Sequence, residues 1–581
     1  MAQRRIAIKP NMQNNSYSLR IFLLLAGITG VIILLMIRVF HLQIVQHEYW
    51  KALASDQHKF EQTILPTRGE IYLGASGTQE PVLAATNITK HIVYAVPKDI
   101  LDPQATAAKL ASALGIPVAE ILDKVRQEGN YVVIKKQVDD ETDKLIKEMN
   151  LIGIGSETES VRYYPEGNLA SHVLGFMGYR GDQRVGQYGI EGNFEENLAG
   201  TNGLMGIDSD SAGRWITIAS RNFVPSQDGD SIYLTIDSAI QHKAQEVLKQ
   251  AIVEHRAERG SVIVADPKTG AILAMANYPD FDPNEYNKVS DISIYTNSAL
   301  TADYEPGSVF KPITMSAALN EEAVSPDTTY EDTGVVEMDD FKIKNSDGKA
   351  NGIQNMTQVL EKSLNTGMVF VEQKLGHKNF RNYVHDFGFG GKTGIELPNE
   401  VLGNLDNLEK KGNIFFATAS YGQGLTVTPI QLITAYTALA NGGKMMKPYI
   451  IDKVVHANDK EDKTEPEKIR QVIEGKTAAE ITSMLVNVIE NGHGKRAAVP
   501  GYYLAGKTGT AQVAYRDRVG YDPNKNIGSF IGYGPVDNPR FLMLVRIDHP
   551  KNVNFAESTA APAFGEIASF ILNYFQVPPT R

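Results

Sequence analysis

Three short motifs in the second half of the chain carry side chains that could transfer an acyl group. They are Ser308-Val309-Phe310-Lys311, Ser363-Leu364-Asn365 and Lys507-Thr508-Gly509-Thr510. A serine hydroxyl becomes an effective nucleophile when a neighbouring base, such as a neutral lysine amine, takes its proton. Together and in this order, the motifs predict one acyl-enzyme serine site that is assembled from three separate stretches of chain.

Each motif is short enough to recur by chance, and each of them does. The further copies are Ser346-Asp347-Gly348-Lys349 for the first motif, Ser220-Arg221-Asn222 for the second, and the Lys-Thr-Gly triplets at Lys268 and Lys392 for the third. One motif alone is therefore weak evidence, and the local pattern around each copy has to separate them.

The residues around Ser308 favour this serine over Ser346. Ser308 follows Glu-Pro-Gly and begins the stretch SVFKPITMSAAL, which predicts a buried helix with Pro312 in its first turn. Lys311 shares the serine's face of that helix, where burial and the helix dipole favour a neutral amine. Ser346 lies among turn formers and charges, which predicts a surface turn. From the first motif alone, the alternative for Ser308 and Lys311 is an N-cap beside a surface lysine.

The three Lys-Thr-Gly copies also lie in different surroundings. Lys268 joins two apolar, strand-like runs and predicts a hairpin turn. Lys392 lies in the glycine-rich segment FGFGGKTGIELPN, which predicts a surface loop. Lys507 lies between YYLAG and TAQVA, inside a predicted strand. The copy at Lys507 is therefore the predicted functional one.

The strand around Lys507 could bind an extended ligand. Small Gly506 and Gly509 would let a ligand lie against the backbone as an added strand. The Lys507 ammonium could hold a substrate carboxylate, and the Thr508 and Thr510 hydroxyls could donate hydrogen bonds to the same group.

The motif at Ser363 lies in a helical pattern that Asn365-Thr366-Gly367 interrupts. Polar residues at such an interruption can point into a cleft, so Ser363 could relay a proton between Lys311 and a leaving amine. Asn365 could bind a substrate amide. The alternative is a helix C-cap made by Asn and Gly.

With all three motifs in place, the chain resembles a class B penicillin-binding protein, a monofunctional transpeptidase that cross-links peptidoglycan. The resemblance covers almost the whole chain. In the catalytic part it extends to LTIDSAIQ (234–241), ADPKTGAILAMANYPDFDPN (265–284), SYGQGLTVTPIQ (420–431) and SFIGYGP (529–535). Nearer the N-terminus it includes PTRGEIY (66–72), RYYPEGNLASHVLGFMG (162–178) and GIEGNFEENLAG (189–200). Leu73 and Gly74 depart from the Asp-Arg that the family usually has after the structural Arg68 segment.

The resemblance implies an α/β transpeptidase domain, with a five-stranded antiparallel sheet flanked by helices and an all-helical cluster beside it. An elongated α+β pedestal and one N-terminal transmembrane helix precede that domain. The expected boundaries are a cytoplasmic tail at 1–20, the helix at 21–43, the pedestal at 44–228 and the transpeptidase domain at 229–581. Amphipathic residues 238–251 predict the first helix of that domain, and a last helix is expected at about 562–575.

The apolar stretch at 21–37 has no charged residue and predicts the transmembrane helix, with Arg38 able to snorkel. Four basic residues and no acid precede it, at Arg4, Arg5, Lys9 and Arg20. This predicts a cytoplasmic N-terminus and an extracytoplasmic (periplasmic) catalytic domain. No small-x-small cleavage site follows the stretch, which disfavours a cleaved signal peptide.

The activity that the resemblance implies is D-Ala-D-Ala transpeptidation through an acyl-enzyme on Ser308. The backbone N–H groups of Ser308 and Thr510 would form the oxyanion hole. β-Lactams would acylate the same serine. The wording YEPGS (304–308), with FGFGGKTGIELP (387–398), is similar to the division-type (FtsI-like) enzymes and predicts a septal role, with an elongation role as the alternative.

The expected partners are peptidoglycan stem peptides, lipid-linked glycan strands and other proteins of the division or elongation complex. Among these proteins we expect a polytopic glycosyltransferase of the shape, elongation, division and sporulation family. The mechanism needs neither a metal nor an organic cofactor. A β-lactamase would need a base that hydrolyses the acyl-enzyme, and a β-lactam sensor would need a cytoplasmic signalling domain, so both are weaker alternatives. A scaffold without activity would be expected to lack Ser308 or Lys311.

The composition agrees with this assignment and excludes several other classes of protein. The chain has 581 residues, which is too long for one core, and it has no cysteine, which excludes disulfides and thiolate chemistry. A net charge of −11 gives no support for nucleic-acid binding. The charged run at 458–468 predicts a solvated loop.

Overall fold

The computed structural model describes residues 15–50, 59–75, 80–181, 183–208, 222–515, 518, 520–553 and 555–581. The chain divides into two compact units, one formed by residues 1–66 with 201–227 and the other by residues 67–200 with 228–581.

Most strands pair with an antiparallel neighbour. The strands are β1 Lys59–Ile64, β2 Ile71–Gly74, β3 Val82–Ala95, β4 Val132–Val138, β5 Ile154–Tyr163, β6 Phe176–Arg180, β7 Gln183–Gln187, β8 Gly203–Asp208, β9 Asn222–Val224, β10 Ser231–Asp237, β11 Arg259–Ala265, β12 Ile272–Tyr278, β13 Thr329–Asp332, β14 Val335–Met338, β15 Phe341–Lys344, β16 Gly352–Asn355, β17 Lys444–Met446, β18 Ile451–Val455, β19 Glu461–Lys463, β20 Lys468–Gln471, β21 Ala505–Ala514, β22 Tyr521–Gly534 and β23 Phe541–Asp548.

The helices range from single turns to the long N-terminal helix. The α-helices are α1 Asn15–Phe40, α2 Pro103–Leu114, α3 Val118–Val125, α4 Asp140–Glu148, α5 Ser171–Leu174, α6 Gly189–Asn193, α7 Glu195–Ala199, α8 Ser238–His255, α9 Ser298–Thr301, α10 Lys311–Asn320, α11 Met356–Glu361, α12 Asn365–Leu375, α13 His377–Asp386, α14 Asn413–Ala419, α15 Pro429–Ala440, α16 Gly475–Glu490 and α17 Ala560–Tyr574. Short 3₁₀ turns include Pro283–Lys288, Ile292–Tyr295, Gly307–Phe310 and Ala556–Ser558.

The first unit contains the predicted apolar helix. Leu19–Val45 has a mean hydropathy of 2.6 over its most apolar window, and none of that window is buried within the protein. About 20 apolar residues span the hydrocarbon layer of a bilayer, so the 27-residue stretch is long enough for a single-pass anchor. The helix starts before the predicted residue 21 and continues past Phe40 as a π-helical turn. The unit also contains an antiparallel sheet in the order β1-β8-β9.

The second unit includes a seven-stranded sheet that draws on distant parts of the chain. Its order is β19-β18-β10-β2-β3-β4, and β5 also pairs with β3. β10 pairs in parallel with β2 on one side and antiparallel with β18 on the other. α2, α3 and α4 enclose a small core with β3 and β4. Leu73, at the departure from the family pattern, is a fully buried residue of β2.

The prediction of a solvated loop at 458–468 was wrong in part. These residues are mainly exposed, as predicted, but they include β19, which forms the edge of the seven-stranded sheet. Lys453 of β18 and Glu461 of β19 form an ion pair at 2.7 Å across this edge. Charged side chains are a common means of keeping an edge strand from pairing with other proteins, so a charged run is compatible with a strand here.

The central sheet of the second unit confirms the predicted five-stranded antiparallel architecture. Its order is β12-β11-β23-β22-β21. Alternate residues face opposite sides, so Val262 and Val264 pack against α8 and α17, while Ile263 and Ala265 belong to the core on the other side. α15 and α16 cover that second side, and α10, α12 and α13 form the helical cluster.

The two helices that the sequence places at the ends of the catalytic part are both present. α8 starts at the predicted residue 238, where Asp237 accepts hydrogen bonds from two N–H groups of its first turn, and it extends four residues beyond 251 to His255. α17 starts at Ala560, two residues before the predicted proline, and it packs on the central sheet as predicted.

A buried ion network joins the three N-terminal segments that resemble the family. Glu191 is fully buried and accepts hydrogen bonds from Arg68 Nη2 and from Arg162 Nε, both at 2.6 Å. Arg68 also pairs with Glu195 at 2.6 Å, and Tyr164 donates to Glu191 at 3.3 Å. Burial raises the pKa of Glu191, but the charges of Arg162 and Arg68 more than offset this and hold its pKa below its usual range.

The same segments contact the catalytic part of the unit. Asn284, in the resemblance segment at 265–284, accepts a hydrogen bond from the Tyr164 N–H group at 3.0 Å and donates one to the Tyr164 carbonyl at 2.9 Å. The three N-terminal segments therefore have a structural role in this chain, as the resemblance implies for the Arg68 segment. They are residues 66–72, 162–178 and 189–200.

The variant Glu191→Gln tests the ion network. It removes the buried carboxylate that Arg162 and Arg68 share and leaves Arg68 only its ion pair with Glu195, so we expect the free energy of unfolding to fall by about 3–5 kcal/mol. The measurement is urea unfolding of the detergent-solubilised protein, followed by far-ultraviolet circular dichroism. The control is Glu285→Gln, which removes an exposed ion pair with Lys288 at 2.7 Å and should change the free energy of unfolding by less than about 1 kcal/mol. Equal losses in the two variants would contradict a special role for the buried network.

Candidate active site

The turn that carries Ser308 differs in detail from the predicted α-helix N-terminus. Gly307–Phe310 form a 3₁₀ turn, and α10 begins only at Lys311, with Pro312 in its first turn as predicted. Residues i and i+3 eclipse each other in 3₁₀ geometry, so Ser308 and Lys311 still lie on the same side. α10 is buried over Lys311–Leu319, which confirms the predicted buried helix.

A glycine loop from the segment 420–431 supports this turn from behind. The N–H group of Gly307 donates to the Gly422 carbonyl at 2.9 Å, and that of Gly424 donates to the Glu305 carboxylate at 3.0 Å. Gly422 has a φ of +83°, and a Cβ there would lie 2.2 Å from the Gly307 carbonyl oxygen. Only glycine fits at this contact, which explains its place in the sequence.

The amine of Lys311 is fully buried and hydrogen-bonded to the second motif. Its Nζ atom lies 2.6 Å from the Ser363 carbonyl oxygen, 2.8 Å from Asn365 Oδ1 and 3.2 Å from Ser363 Oγ. Burial, together with the charge of Lys507, holds the pKa of Lys311 well below its usual value. Among the described residues, Ser308 Oγ is not one of its hydrogen-bond partners. Such a bond often forms only when substrate is bound.

The second motif forms a sharp corner between two helices. α11 ends at Glu361 and α12 begins at Asn365, so the interruption lies at residues 362–364 and not at Asn365-Thr366-Gly367 as predicted. Ser363 has a φ of +56°, a left-handed conformation that is uncommon for residues other than glycine. This corner, and not a C-cap made by Asn and Gly, turns Ser363 Oγ towards the lysines.

Lys507 lies in β21, the edge strand of the central sheet, which confirms the predicted strand. Its side chain is fully buried, and Nζ donates to Ser363 Oγ at 3.0 Å, to the Thr508 carbonyl at 3.1 Å and to Thr508 Oγ1 at 3.4 Å. Burial lowers the pKa of Lys507 to about 7. The three motifs thus meet at the hydroxyl of Ser363, which lies between two amines.

The residues that follow Lys507 have different surroundings. Thr508 Oγ1 faces the Lys507 amine, whereas Thr510 Oγ1 accepts a hydrogen bond from the Ala556 N–H group at 3.2 Å. A Cβ at Gly509 would lie 2.9 Å from the Val309 side chain and 2.8 Å from Ser529 Oγ. Gly509 therefore lets the Ser308 turn pack closely against β21.

Gly506 also lies in close contact with a neighbouring strand. A Cβ at Gly506 would lie 2.8 Å from the Phe530 ring of the neighbouring strand β22. β21 pairs with β22 on one side, and its other edge is the one to which an extended ligand could add as a strand.

The described copies of the first and third motifs lie in turns or irregular segments. Lys268 lies in the turn between β11 and β12, Lys392 lies in an irregular exposed segment, and Ser346 lies in an exposed turn, all as predicted. Ser220 and Arg221 lie outside the described residues. Within the ranges that the structure describes, no group of three or more His, Asp and Glu side chains is placed to hold a metal ion.

Sequence reasoning missed Asn345, which directly precedes the rejected copy at Ser346. Its Oδ1 atom accepts hydrogen bonds from the first two N–H groups of α12, those of Asn365 and Thr366, at 2.9 and 3.3 Å. An Asn in a turn-forming segment is a general signal for a side chain that bonds to backbone. Nothing in the sequence indicates that its partner is a helix beginning 20 residues later.

Comparison with known proteins agrees with this geometry. Residues 260–569 match the penicillin binding protein transpeptidase domain, and residues 63–234 match the penicillin-binding protein dimerisation domain. Stage V sporulation protein D of Bacillus subtilis is 35% identical over 98% of this chain and 88% of its own length. A probable peptidoglycan D,D-transpeptidase, PenA of Neisseria gonorrhoeae, is 30% identical over 100% of this chain and 96% of its own length.

A solved structure shows the same fold. Penicillin binding protein 3 from Mycobacterium tuberculosis, complexed with aztreonam, superposes with a TM-score of 0.70 at 26% sequence identity. The match covers 90% of this chain and 98% of that one. The domain matches, the full-length relatives and the fold lead to the same assignment: this chain belongs to the class B penicillin-binding proteins and is a peptidoglycan D,D-transpeptidase.

Proposed function

We propose that Ser308 is the nucleophile of this transpeptidase, that Lys311 is its general base, and that Ser363 passes the proton to the leaving amine. The observation that carries the proposal is the position of Ser363 Oγ, 3.2 Å from Nζ of Lys311 and 3.0 Å from Nζ of Lys507. A hydroxyl can accept one proton while it donates another, so it can connect a base to a leaving group.

The hydrogen bonds support different protonation states for the two lysines. A neutral amine has two N–H groups and one lone pair. In Lys311 the two N–H groups match the Ser363 carbonyl and Asn365 Oδ1, which leaves the lone pair for a hydroxyl proton. Ser363 Oγ is a third partner of Lys311 and also a partner of Lys507, so its O–H group can donate to the Lys311 lone pair while its oxygen accepts from Lys507. Lys507 donates to two further acceptors, as an ammonium group can. Two ammonium groups beside one buried hydroxyl would repel each other, which favours one charge and not two.

The reaction follows from these roles. The Ser308 oxygen forms a bond to the carbonyl carbon between the two terminal D-Ala residues of a stem peptide, and its proton passes to Lys311. The C–N bond then breaks, and the proton leaves through Ser363 with the departing D-Ala amine. An amine of a neighbouring stem peptide then forms an amide bond to the acyl carbon and loses a proton to the same base. The ester C–O bond breaks, and the Ser308 oxygen takes that proton from the base.

Substrate binding uses the exposed side of β21. The free edge of this strand offers backbone groups to an extended peptide, and Lys507 with Thr508 holds the terminal carboxylate of the donor. The N–H groups of Ser308 and Thr510 form the oxyanion hole, where each donor typically contributes about 3 kcal/mol. The Ser308 turn packs on β21, with Gly307 against the Thr510 carbonyl. This contact supports a shared oxyanion hole made by the N–H groups of Ser308 and Thr510. A β-lactam acylates Ser308 in the same way, but the retained ring fragment excludes the acceptor.

The enzyme works outside the cytoplasmic membrane, with its N-terminus in the cytoplasm. The apolar helix Leu19–Val45 supports the anchor. The four basic residues among the first twenty support the orientation. The expected boundaries of tail, anchor, pedestal and transpeptidase domain, at residues 20, 43 and 228, belong to this proposal.

The cellular role that we propose is septal cell-wall synthesis, in a complex with a polytopic glycosyltransferase of the shape, elongation, division and sporulation family. The support is the similarity of residues 304–308 and 387–398 to division-type enzymes. A second candidate is a role in sporulation, which the 35% identity to Stage V sporulation protein D favours. A fluorescent fusion in the native host separates these roles: label at every division site supports the first, and label confined to sporulating cells supports the second.

Acylation by a penicillin tests the proposed nucleophile. We expect intact mass to show a stable adduct on the parent protein and on Ser346→Ala, and none on Ser308→Ala. Lys311→Met should acylate about 100- to 10,000-fold more slowly, because it lacks the general base. Ser346 serves as the matched control, since it belongs to the other Ser-x-x-Lys copy and lies in an exposed turn.

Two outcomes of this experiment would contradict the proposal. An adduct that persists on Ser308→Ala would place the nucleophile elsewhere. An adduct that forms on the parent and is lost within seconds would indicate a β-lactamase.

The pH dependence of acylation tests the proposed protonation states. Lys311 must be neutral, so the rate should rise as pH rises through its lowered pKa. Lys507 must be charged, so the second-order rate constant should fall again above its pKa of about 7, where the free enzyme loses the partner of the substrate carboxylate. The measurement is the rate of acylation by a fluorescent penicillin between about pH 5 and pH 10.

The control is Lys507→Arg, in which the guanidinium group stays charged over this range. Its alkaline limb should be absent, while the acidic limb that reports Lys311 is retained. An alkaline limb of the same midpoint in Lys507→Arg would show that another group causes it.

A further inference from the structure

α12, the helix that presents Asn365, begins without a cap of its own. Leu364 precedes it and has no side-chain group that could accept from the helix N–H groups. The first N–H groups of a helix have no partner within it, and buried ones are costly to leave unsatisfied. Asn345 Oδ1, from the loop after β15, accepts from the first two of them, at 2.9 Å from Asn365 N and 3.3 Å from Thr366 N.

The carboxylate of Asp332 holds Asn345 in place. Asp332 is only 1% exposed, and its two oxygens accept from Asn345 Nδ2 at 3.0 and 2.9 Å. Thr366 Oγ1 donates to the same carboxylate at 2.8 Å, so it contacts α12 directly as well. Gly334 and Asn351 supply its remaining hydrogen bonds. This arrangement orients the amide of Asn345, because its Nδ2 atom faces Asp332 and its oxygen therefore faces the helix.

The geometry points to Asp332 and Asn345 as positioning residues for the catalytic lysine. They act through Asn365, whose Oδ1 atom accepts from Lys311 Nζ at 2.8 Å and whose Nδ2 atom donates to the Lys344 carbonyl at 2.9 Å. Lys344 directly precedes Asn345, so one short segment, residues 344–345, fixes both the backbone and the side chain of Asn365. The inference rests on the proposed role of Lys311 as the base that acts on Ser308.

The variant Asn345→Ala separates positioning from stability when it is compared with Asn355→Ala. Asn355 caps α11, the preceding helix, by accepting from Gln358 N at 2.9 Å, and it does not contact α12 by a hydrogen bond among the described residues. Both variants delete an asparagine cap, so both should lower thermal stability. Displacement of the base by about an ångström can slow a reaction about 100-fold. We expect Asn345→Ala to lower the saturating acylation rate constant about 10- to 100-fold, with a smaller change in the half-saturating penicillin concentration.

Asn355→Ala should acylate within about twofold of the parent, since the lost cap is worth only about 1 kcal/mol of stability and does not orient Asn365. Rapid-quench acylation of the full-length protein by a penicillin measures both constants. Equal acylation rates in the two variants would overturn the inference. Failure of the parent to acylate on Ser308 would instead refute the proposed function, so the two failures are distinguishable.

Exchanging the carboxylate and the amide between positions 332 and 345 tests whether the pair can be rescued. Asn345→Asp places two carboxylates together and should slow acylation. Adding Asp332→Asn gives an amide that donates to the new carboxylate, which still accepts from the two helix N–H groups. The double variant should therefore acylate faster than Asn345→Asp alone. A double variant whose loss equals the product of the two single losses would show that the residues do not act as a pair.

Discussion

Two lysine amines are buried within hydrogen-bond distance of one serine hydroxyl, and the rest of the active site follows from that constraint. Water is excluded around Lys311 and Lys507, so a second positive charge in this space is unfavourable, and one amine is left neutral enough to act as a base. Their neighbours on the second motif are acceptors: a backbone carbonyl, the Asn365 amide oxygen and the Ser363 hydroxyl. One residue type can therefore supply both a base and a cation here, because burial lowers the pKa of each amine and the charge of Lys507 lowers the pKa of Lys311 further.

Glycines make this convergence possible because they allow close contacts within the protein. Gly422 lets the loop 420–431 meet the turn of Ser308, and Gly509 lets the side chain of Val309 meet β21. The turn that carries Ser308 is thus held between a loop and an edge strand, each at a distance that a Cβ would forbid. The left-handed backbone of Ser363 has a similar effect, because it turns a helix end so that its hydroxyl reaches both lysines.

The sequence was sufficient to identify the motifs, to reject their copies and to anticipate the central sheet, because each of these has a local signal. Ser346 was rejected on turn formers, and Lys507 was selected on flanking apolar residues, and both assignments agree with the fold. The predictions that were wrong or missing concern residues whose partners are distant in sequence. The interruption at residues 362–364 was placed three residues late because the helical pattern continues across it. Asn345 was missed because α12 reaches it only in the folded chain. The strand β19 was missed because its charged residues form hydrogen bonds with a partner outside the run.

The pairing of β10 limits how such genes can recombine. Its neighbours β2 and β18 lie on opposite sides of it along the chain, so the sheet crosses the point where the two matched domains meet in sequence. A hybrid that inherits residues after 238 from a relative would bring a foreign β18 against a native β10. A hybrid chain with a crossover at this boundary folds correctly only if the strand edges of β10 and β18 remain compatible. Its folding therefore depends on the pairing of strands within one sheet, and not only on the linker between the two domains.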